Sequence, residues 1–272
     1  MADPSGNIAQ GFTQVDQTSD PRFFIEFLDA RKTIEGEREV KDLILEMLNL
    51  QPGLHVLDVG CGAGDDAREI ARRVGPASRV VGIDPSDTLI VESKKRSAGS
   101  GIPVDFRFGD VRNLDFADAS FDRIRTDRVL MFVPEIEKAI AEIVRVLRPG
   151  GRLVASELDH EMRFIDSRLP AISRKIHAAW VANNPQPCLG RQLARLFADH
   201  GLRNVKSVVR VLTPPYQFVV RVNGGFLSAA VARGELIQAE VDAWLADLAD
   251  LAETGRFTNG IVVFTVAGEK PA

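Results

Sequence analysis

The chain has 272 residues, 34 Lys+Arg against 38 Asp+Glu for a formal net charge of −4, and an apolar share of 45%. Such an apolar share excludes intrinsic disorder, and mild acidity without long single-sign runs speaks against electrostatic binding of nucleic acid. No apolar run approaches the roughly 20 residues of a membrane helix, the polar start at Met1–Gly6 lacks the order of a signal peptide, and Cys61 and Cys188 imply no disulfide framework, so the expectation is a cytoplasmic protein.

Residues 1–20 read as a mobile arm, with Phe12 and Val15 as isolated apolar points. Helical spacing follows at Phe24, Phe27 and Leu28, and again at Val40, Leu43, Ile44, Met47 and Leu48, with Pro52-Gly53 as the stop. Next comes a β-rich run, 54–59, which halts at glycines. From here strands and helices alternate. Helix 66–74 leads to strand 79–84, helix 86–97 to strand 104–108, and a weaker strand spans 121–125. Ile136, Ile140, Ile143, Val144 and Leu147 share one helical face, with Pro134 near its first turn. Arg148–Gly151 reads as a turn before strand 152–156. This alternation predicts an α/β fold with a doubly wound, mainly parallel sheet.

The second half is less regular. Leu169, Ile172, Ile176 and Trp180 lie on one helical face, broken by Asn183–Pro187. A helix at 190–200, a strand at 205–212, helical sequence over 223–254 and a strand at 261–266 complete the chain.

The most informative segment is Val56-Leu57-Asp58-Val59-Gly60-Cys61-Gly62-Ala63-Gly64-Asp65-Asp66. Alternate glycines allow a sharp turn and leave no Cβ between backbone and ligand. In open α/β sheets, ligands lie at the carboxyl ends of the strands where strand order reverses. Asp84 ends the next strand, where a carboxylate can accept both hydroxyls of a ribose; capping helix 86–97 is its other possible role, with Ser86 competing for it. The third glycine of a dinucleotide fingerprint is replaced by Asp65, and Asp65 with Asp66 would repel a pyrophosphate. A nucleoside cofactor with a cationic end fits better than one with phosphates, which also weighs against a nicotinamide oxidoreductase.

The segment Val56–Gly64 resembles the first motif of class I S-adenosylmethionine-dependent methyltransferases. Val81-Gly82-Ile83-Asp84 is similar to the second motif. Phe108-Gly109-Asp110-Val111 and Phe116–Asp122 resemble the third and fourth, and Leu147–Leu153 the turn before strand five. The subtype most resembled is the small-molecule group related to quinone C-methyltransferases and natural-product tailoring enzymes. The resemblance implies a seven-stranded Rossmann-like sheet whose last strand, Ile261–Val266, is antiparallel. It implies S-adenosyl-L-methionine as cofactor, with Gly60, Gly62 and Gly64 cradling the methionine part and Asp58 ordering the turn. Asp84 would take the ribose hydroxyls, and Pro85 and Ser86 would line the adenine. Asp110 would meet the adenine amino group with Gly109 and Val111 beside it, and Thr126 would border the methionine end. In this reading residues 1–35 are an N-terminal arm or lid. Residues 36–272 are the methyltransferase domain, with lid insertions at about 160–188 and 214–257.

Methyl transfer from a sulfonium needs alignment and exclusion of water more than a dedicated catalytic group. The candidate base is His160, expected after strand five at the carboxyl end of the sheet. His177 falls near an apolar helical face, and Arg31 is placed to meet the cofactor's carboxylate. Phe164, Trp180, Phe218, Phe226 and Trp244 are candidates to roof an apolar pocket. Thr213-Pro214-Pro215-Tyr216 looks like the signature of amino-group methyltransferases but follows strand six rather than four, so it reads as a turn. The expected partner is a small-molecule substrate, with no nucleic acid, no membrane and no metal. Two alternatives share the cofactor site: a methyltransferase-fold enzyme that keeps the cofactor for a reaction such as cyclisation, and a binding pseudoenzyme, against which the retained Asp58, Asp84 and Asp110 argue.

Overall fold

A seven-stranded sheet in the order β3-β2-β1-β4-β5-β7-β6 organises the chain, and the computed structural model describes residues 8–272 of it. The strands are β1 (His55–Val59), β2 (Arg79–Asp84), β3 (Asp105–Phe108), β4 (Phe121–Asp127), β5 (Leu147–Ile165), β6 (Arg203–Leu212) and β7 (Asn259–Glu269). The first five are parallel, and β7 runs antiparallel between β5 and β6. This is the predicted doubly wound architecture with an antiparallel last strand.

Strand order reverses between β1 and β4, where Val59 faces Ile83 of β2 on one side and Thr126 of β4 on the other. The carboxyl end of β1 is therefore the switch-point crevice, and the glycine turn begins there.

Among the described residues ten α-helices surround the sheet: α1 (Ile8–Phe12), α2 (Arg22–Arg31), α3 (Glu37–Leu48), α4 (Asp65–Val74), α5 (Asp87–Ser97), α6 (Ile136–Val146), α7 (Pro170–Ala182), α8 (Leu189–Asp199), α9 (Tyr216–Ala232) and α10 (Gln238–Glu253). One face of the sheet packs on α6 and α8 through residues such as Ile140, Ile143, Leu193 and Phe197. The other packs on α3 and α4 through Val40, Ile44, Ile70 and Val74. A separate cluster joins α7, α9 and α10 around Trp180, Phe226 and Trp244. Among the described residues no helix is long and apolar enough to cross a membrane.

The structure differs from the sequence reading in four places. Residues 8–20 of the expected mobile arm are folded onto the body, and 1–7 lie outside the described residues. Phe12 stacks on Phe132 and meets Phe24 and Phe27 edge-on, and Val15 is buried. Strand five is far longer than 152–156. The expected turn Arg148–Gly151 belongs to it because Gly150 N–H and Gly151 C=O pair with Lys270 beside β7. Its far end continues past a register shift between Asp159 and Phe164, so His160 lies within a strand rather than in a loop. Finally, the helical sequence 223–254 is two helices broken at Gly234, whose φ of 74° suits glycine.

Candidate functional site

The glycine turn is built for close packing on both sides. Gly60 has φ 67°, and a Cβ there would lie 2.2 Å from Val129 Cγ2, just beyond β4. Gly62 has φ 53°, and a Cβ would meet Leu28 Cδ1 of α2 at 2.9 Å. Only glycine tolerates both the conformation and the approach. Gly64 serves packing: its Cβ would strike the Phe106 ring at 2.6 Å.

A cavity of about 810 Å³ opens over this turn, toward the upper end of the range for small-molecule sites. Gly60, Gly62, Asp84, Pro85, Gly109, Asp110, Val111 and His160 line it together. Asp58, Gly64, Ser86 and Thr126 lie outside the lining. Asp58 and Thr126 are fully buried, each with one oxygen that has no hydrogen-bond partner among the described residues. Ser86 accepts from Leu89 N–H at 3.2 Å and so caps α5.

Asp84 is 6% exposed. Its Oδ2 accepts from Gly62 N–H at 2.9 Å and its Oδ1 from Ser86 N–H at 3.0 Å. Burial pushes its carboxyl up to about 6, the two N–H donors oppose this, and the charges of Asp58 and Asp16 add to it. Among the described residues Asp84 has no basic partner, whereas every other carboxylate lining the cavity does. Asp110 is paired with Arg112 at 2.6 Å. Asp66 is held by Lys41 and Arg125, and Asp65 by Lys32 and Arg68. The two acids after the turn are thus neutralised, and their repulsion of phosphate is weaker than the sequence suggests.

A buried ion network closes the wall beneath α2 and α3. Arg128 pairs with Glu37 at 2.7 Å and Asp127 at 2.8 Å, and Arg125 with Asp58 at 2.6 Å. Arg31 joins through Glu37 at 2.8 Å, so its Nη2 is already engaged by carboxylates. Local sequence shows nothing of this network beyond the adjacent Asp127-Arg128 at the end of β4, because Arg31, Glu37 and Asp58 come from α2, α3 and β1, distant in the chain.

His160 is 4% exposed. Its Nδ1 accepts from Trp180 Nε1–H at 3.2 Å, and its Nε2 is buried without a partner among the described residues. Burial and the nearby Arg163 push its ring down to about 4, so it is neutral near pH 7. An indole only donates, so Nδ1 is unprotonated and the single proton sits on Nε2. His160 thus lines the cavity with Nδ1 engaged by Trp180 and Nε2 buried. His177 meets the His160 carbonyl at 2.8 Å and braces that strand.

Of the expected roof aromatics, Trp180 and Phe218 line the cavity. Phe226 and Trp244 are core of the helical cluster, and Phe164 points out, half-exposed. Phe12, Phe27, Phe132 and Arg163, not anticipated as lining, complete the walls. Among the described residues no group of three or more His, Cys, Asp or Glu is arranged to hold a metal.

Residues 50–201 match a family model described as a methyltransferase domain. An uncharacterized 37.1 kDa protein in transposon TN4556 of Streptomyces fradiae is 35% identical over 256 residues, covering 90% of this chain and 71% of that protein. The ubiquinone/menaquinone biosynthesis C-methyltransferase UbiE of Bordetella avium is 33% identical over 152 residues, 56% of each chain. In three dimensions the [4+2]-cyclase SpnF superposes with a TM-score of 0.56 at 23% identity, over 87% of this chain and 81% of that one, a likeness of fold.

Proposed function

Because the chain belongs to the methyltransferase-domain family, we propose that it transfers a methyl group from S-adenosylmethionine to a small, partly hydrophobic organic acceptor. The observation that carries this reading is Asp84, the one lining carboxylate without a basic partner among the described residues, set beside a glycine turn at the switch point. It has acceptor capacity left for ribose hydroxyls, and the turn admits a ligand against bare backbone.

The cofactor, when bound, supplies a sulfonium-activated methyl group that passes directly to a nucleophile. The protein's share is orientation and exclusion of water. Gly60 and Gly62 let the turn pack under Val129 and Leu28 while lining the cavity, and Asp84 fixes a ligand by accepting hydrogen bonds. Gly109, Asp110 and Val111 form the adjoining wall. Asp58, Gly64, Ser86 and Thr126 support the turn and its flanking helix from behind. Phe12, Phe132 and Phe218 provide apolar walls for the acceptor. The arm, in its described part 8–35, and the insertions 160–188 and 214–257 act as the lid, since Leu28, Trp180 and Phe218 all reach the cavity. No general base is assigned. The two cysteines are free, which suits a reducing cytoplasm.

Calorimetry with S-adenosylhomocysteine and with NADH tests the cofactor. Tight binding of the first and none of the second is expected; the reverse would overturn the reading. Turnover is followed as S-adenosylhomocysteine released with apolar acceptors. Likeness to a cyclase fold gives the second reading, a retained cofactor without transfer, and product formed with no S-adenosylhomocysteine would favour it.

A further inference from the structure

Among the described residues, one cation lining the cavity lacks a carboxylate partner. Each other lysine or arginine lining it has a carboxylate partner, from Arg31 with Glu37 to Arg112 with Asp110. Arg163 has none among the described residues. Its Nη1 donates to Asn223 Oδ1 at 3.1 Å, and its guanidinium lies 5.1 Å from the centre of the Trp180 ring. Asn223 is itself buried and fixed, since its Nδ2 donates to the Val219 carbonyl at 2.6 Å, which turns its oxygen toward Arg163. Burial depresses Arg163 to about 10, so it stays charged near pH 7.

His160 lines the same cavity. Trp180, whose face Arg163 covers, gives its indole N–H to His160 and thereby leaves the proton of His160 on the buried, partnerless Nε2. The register shift between Asp159 and Phe164 lets both residues face the cavity although they are three apart on one strand. Arg163 and His160 thus both line an apolar chamber, the first with a charge that no carboxylate among the described residues balances and the second as a neutral ring. Held by one neutral acceptor, the Arg163 guanidinium keeps donors free for an anion, which a ligand in the chamber can supply.

We propose that the acceptor substrate carries an anionic oxygen group, a carboxylate or a phosphate, that Arg163 receives beside Trp180. This deepens the proposed function, and rests on its reading of the chamber as the substrate site. It makes the substrate an amphipathic acid: an apolar body along Phe132 and Phe218, and an anion at Arg163.

Calorimetry on the full chain, with and without saturating S-adenosylhomocysteine, tests this with octanoate, octyl phosphate and octanamide. At least one anion should bind ten or more times tighter than the amide, and the tighter of the two names the group. Arg163→Gln should reduce that anion to the level of the amide, while S-adenosylhomocysteine binding stays within twofold of wild type. Arg163→Lys should keep part of the preference and serves if the glutamine variant does not fold. Equal binding of anions and amide, no binding of either anion at millimolar concentration, or a preference that survives Arg163→Gln would overturn the proposal. Failure of wild-type protein to bind S-adenosylhomocysteine would instead overturn the cofactor reading alone, because the anion titrations are also run without it.

Discussion

Trp180 donates its indole N–H to Nδ1 of His160 at 3.2 Å, and that one bond sets which face of the imidazole carries a proton. With Nδ1 occupied as acceptor, the ring's single proton sits on the buried Nε2. The ring should titrate near pH 4, well below its ordinary range, because burial and the charge of Arg163 resist a second proton. Its stabilising contribution is then complete above the unfolded value near 6.5 and lost as pH falls toward 4. Proton NMR of the His160 ring should show a midpoint near 4, and Trp180→Phe should shift its tautomer balance. A midpoint at 6.5 or above would sink this assignment and restore His160 as a base.

Asp84 predicts a pH dependence of opposite use. Its carboxyl is raised to about 6 by burial, with Asp58 and Asp16 adding to the shift and Gly62 and Ser86 N–H opposing it. The neighbouring Cys61 thiol is pushed up and stays neutral. In the ligand-free protein its contribution to stability is present below the unfolded value of 3.8 and fades as pH rises through 6. A ligand that donates hydroxyls favours the ionised form. S-adenosylhomocysteine affinity should therefore be level above pH 7 and fall by up to about tenfold per unit below pH 6. Asp84→Asn should weaken binding about tenfold at pH 7.5 and flatten this dependence. Wild-type affinity that is constant from pH 5 to 8 would count against Asp84 as the acceptor.

The arm is tied to the cofactor end by Asp16. Its carboxylate accepts from Ser86 Oγ–H at 3.0 Å, Asp87 N–H at 2.8 Å and Thr88 N–H at 3.1 Å, so it caps α5 from 70 positions away. Asp16→Ala removes a cap worth about 1 kcal/mol. It should leave the body folded, speed proteolysis within 8–35 and raise the dissociation rate of S-adenosylhomocysteine several-fold. Unaltered proteolysis and dissociation would mean that the arm is no lid.

The glycine turn, the alternating strands and Asp84 were legible because local spacing encodes them: a strand, a turn that only glycine tolerates, and a helix follow one another in the chain. What stayed hidden depends on distant partners. Phe12 sits alone in a polar stretch, and its partners Phe24, Phe27 and Phe132 meet it only in the fold. Arg163 looks like a solvent-facing residue in Glu161-Met162-Arg163-Phe164. The register shift on β5 and the cover of α7 and α9 turn it inward, and Phe164, its neighbour on the strand, outward. The pairing of Asp65 and Asp66 with Lys32, Lys41 and Arg125 was equally invisible, so their charge was overrated as a barrier to phosphate.

Glu157 gives a stability test at the chamber wall. It is fully buried, and its Oε1 accepts from Val129 N–H at 3.1 Å and Leu130 N–H at 2.9 Å while Oε2 faces Met131 N–H at 3.4 Å. These bonds hold the turn Leu130–Phe132, which carries Met131 and Phe132 into the cavity. Glu157→Ala leaves the donors unpaired in the core and should cost about 3 kcal/mol, a fall in Tm of roughly 6–12 °C. Glu157→Gln keeps the Oε1 bonds and should cost about 1 kcal/mol. Burial raises the Glu157 carboxyl to about 8, with the charge of Asp127 adding to it, so its contribution is full below the unfolded value of 4.5 and lost as pH rises toward 8. Wild-type Tm should accordingly drop more between pH 6 and 9 than that of Glu157→Gln. Parallel pH curves for the two proteins, or an alanine variant as stable as wild type, would show that this carboxyl does not hold the turn.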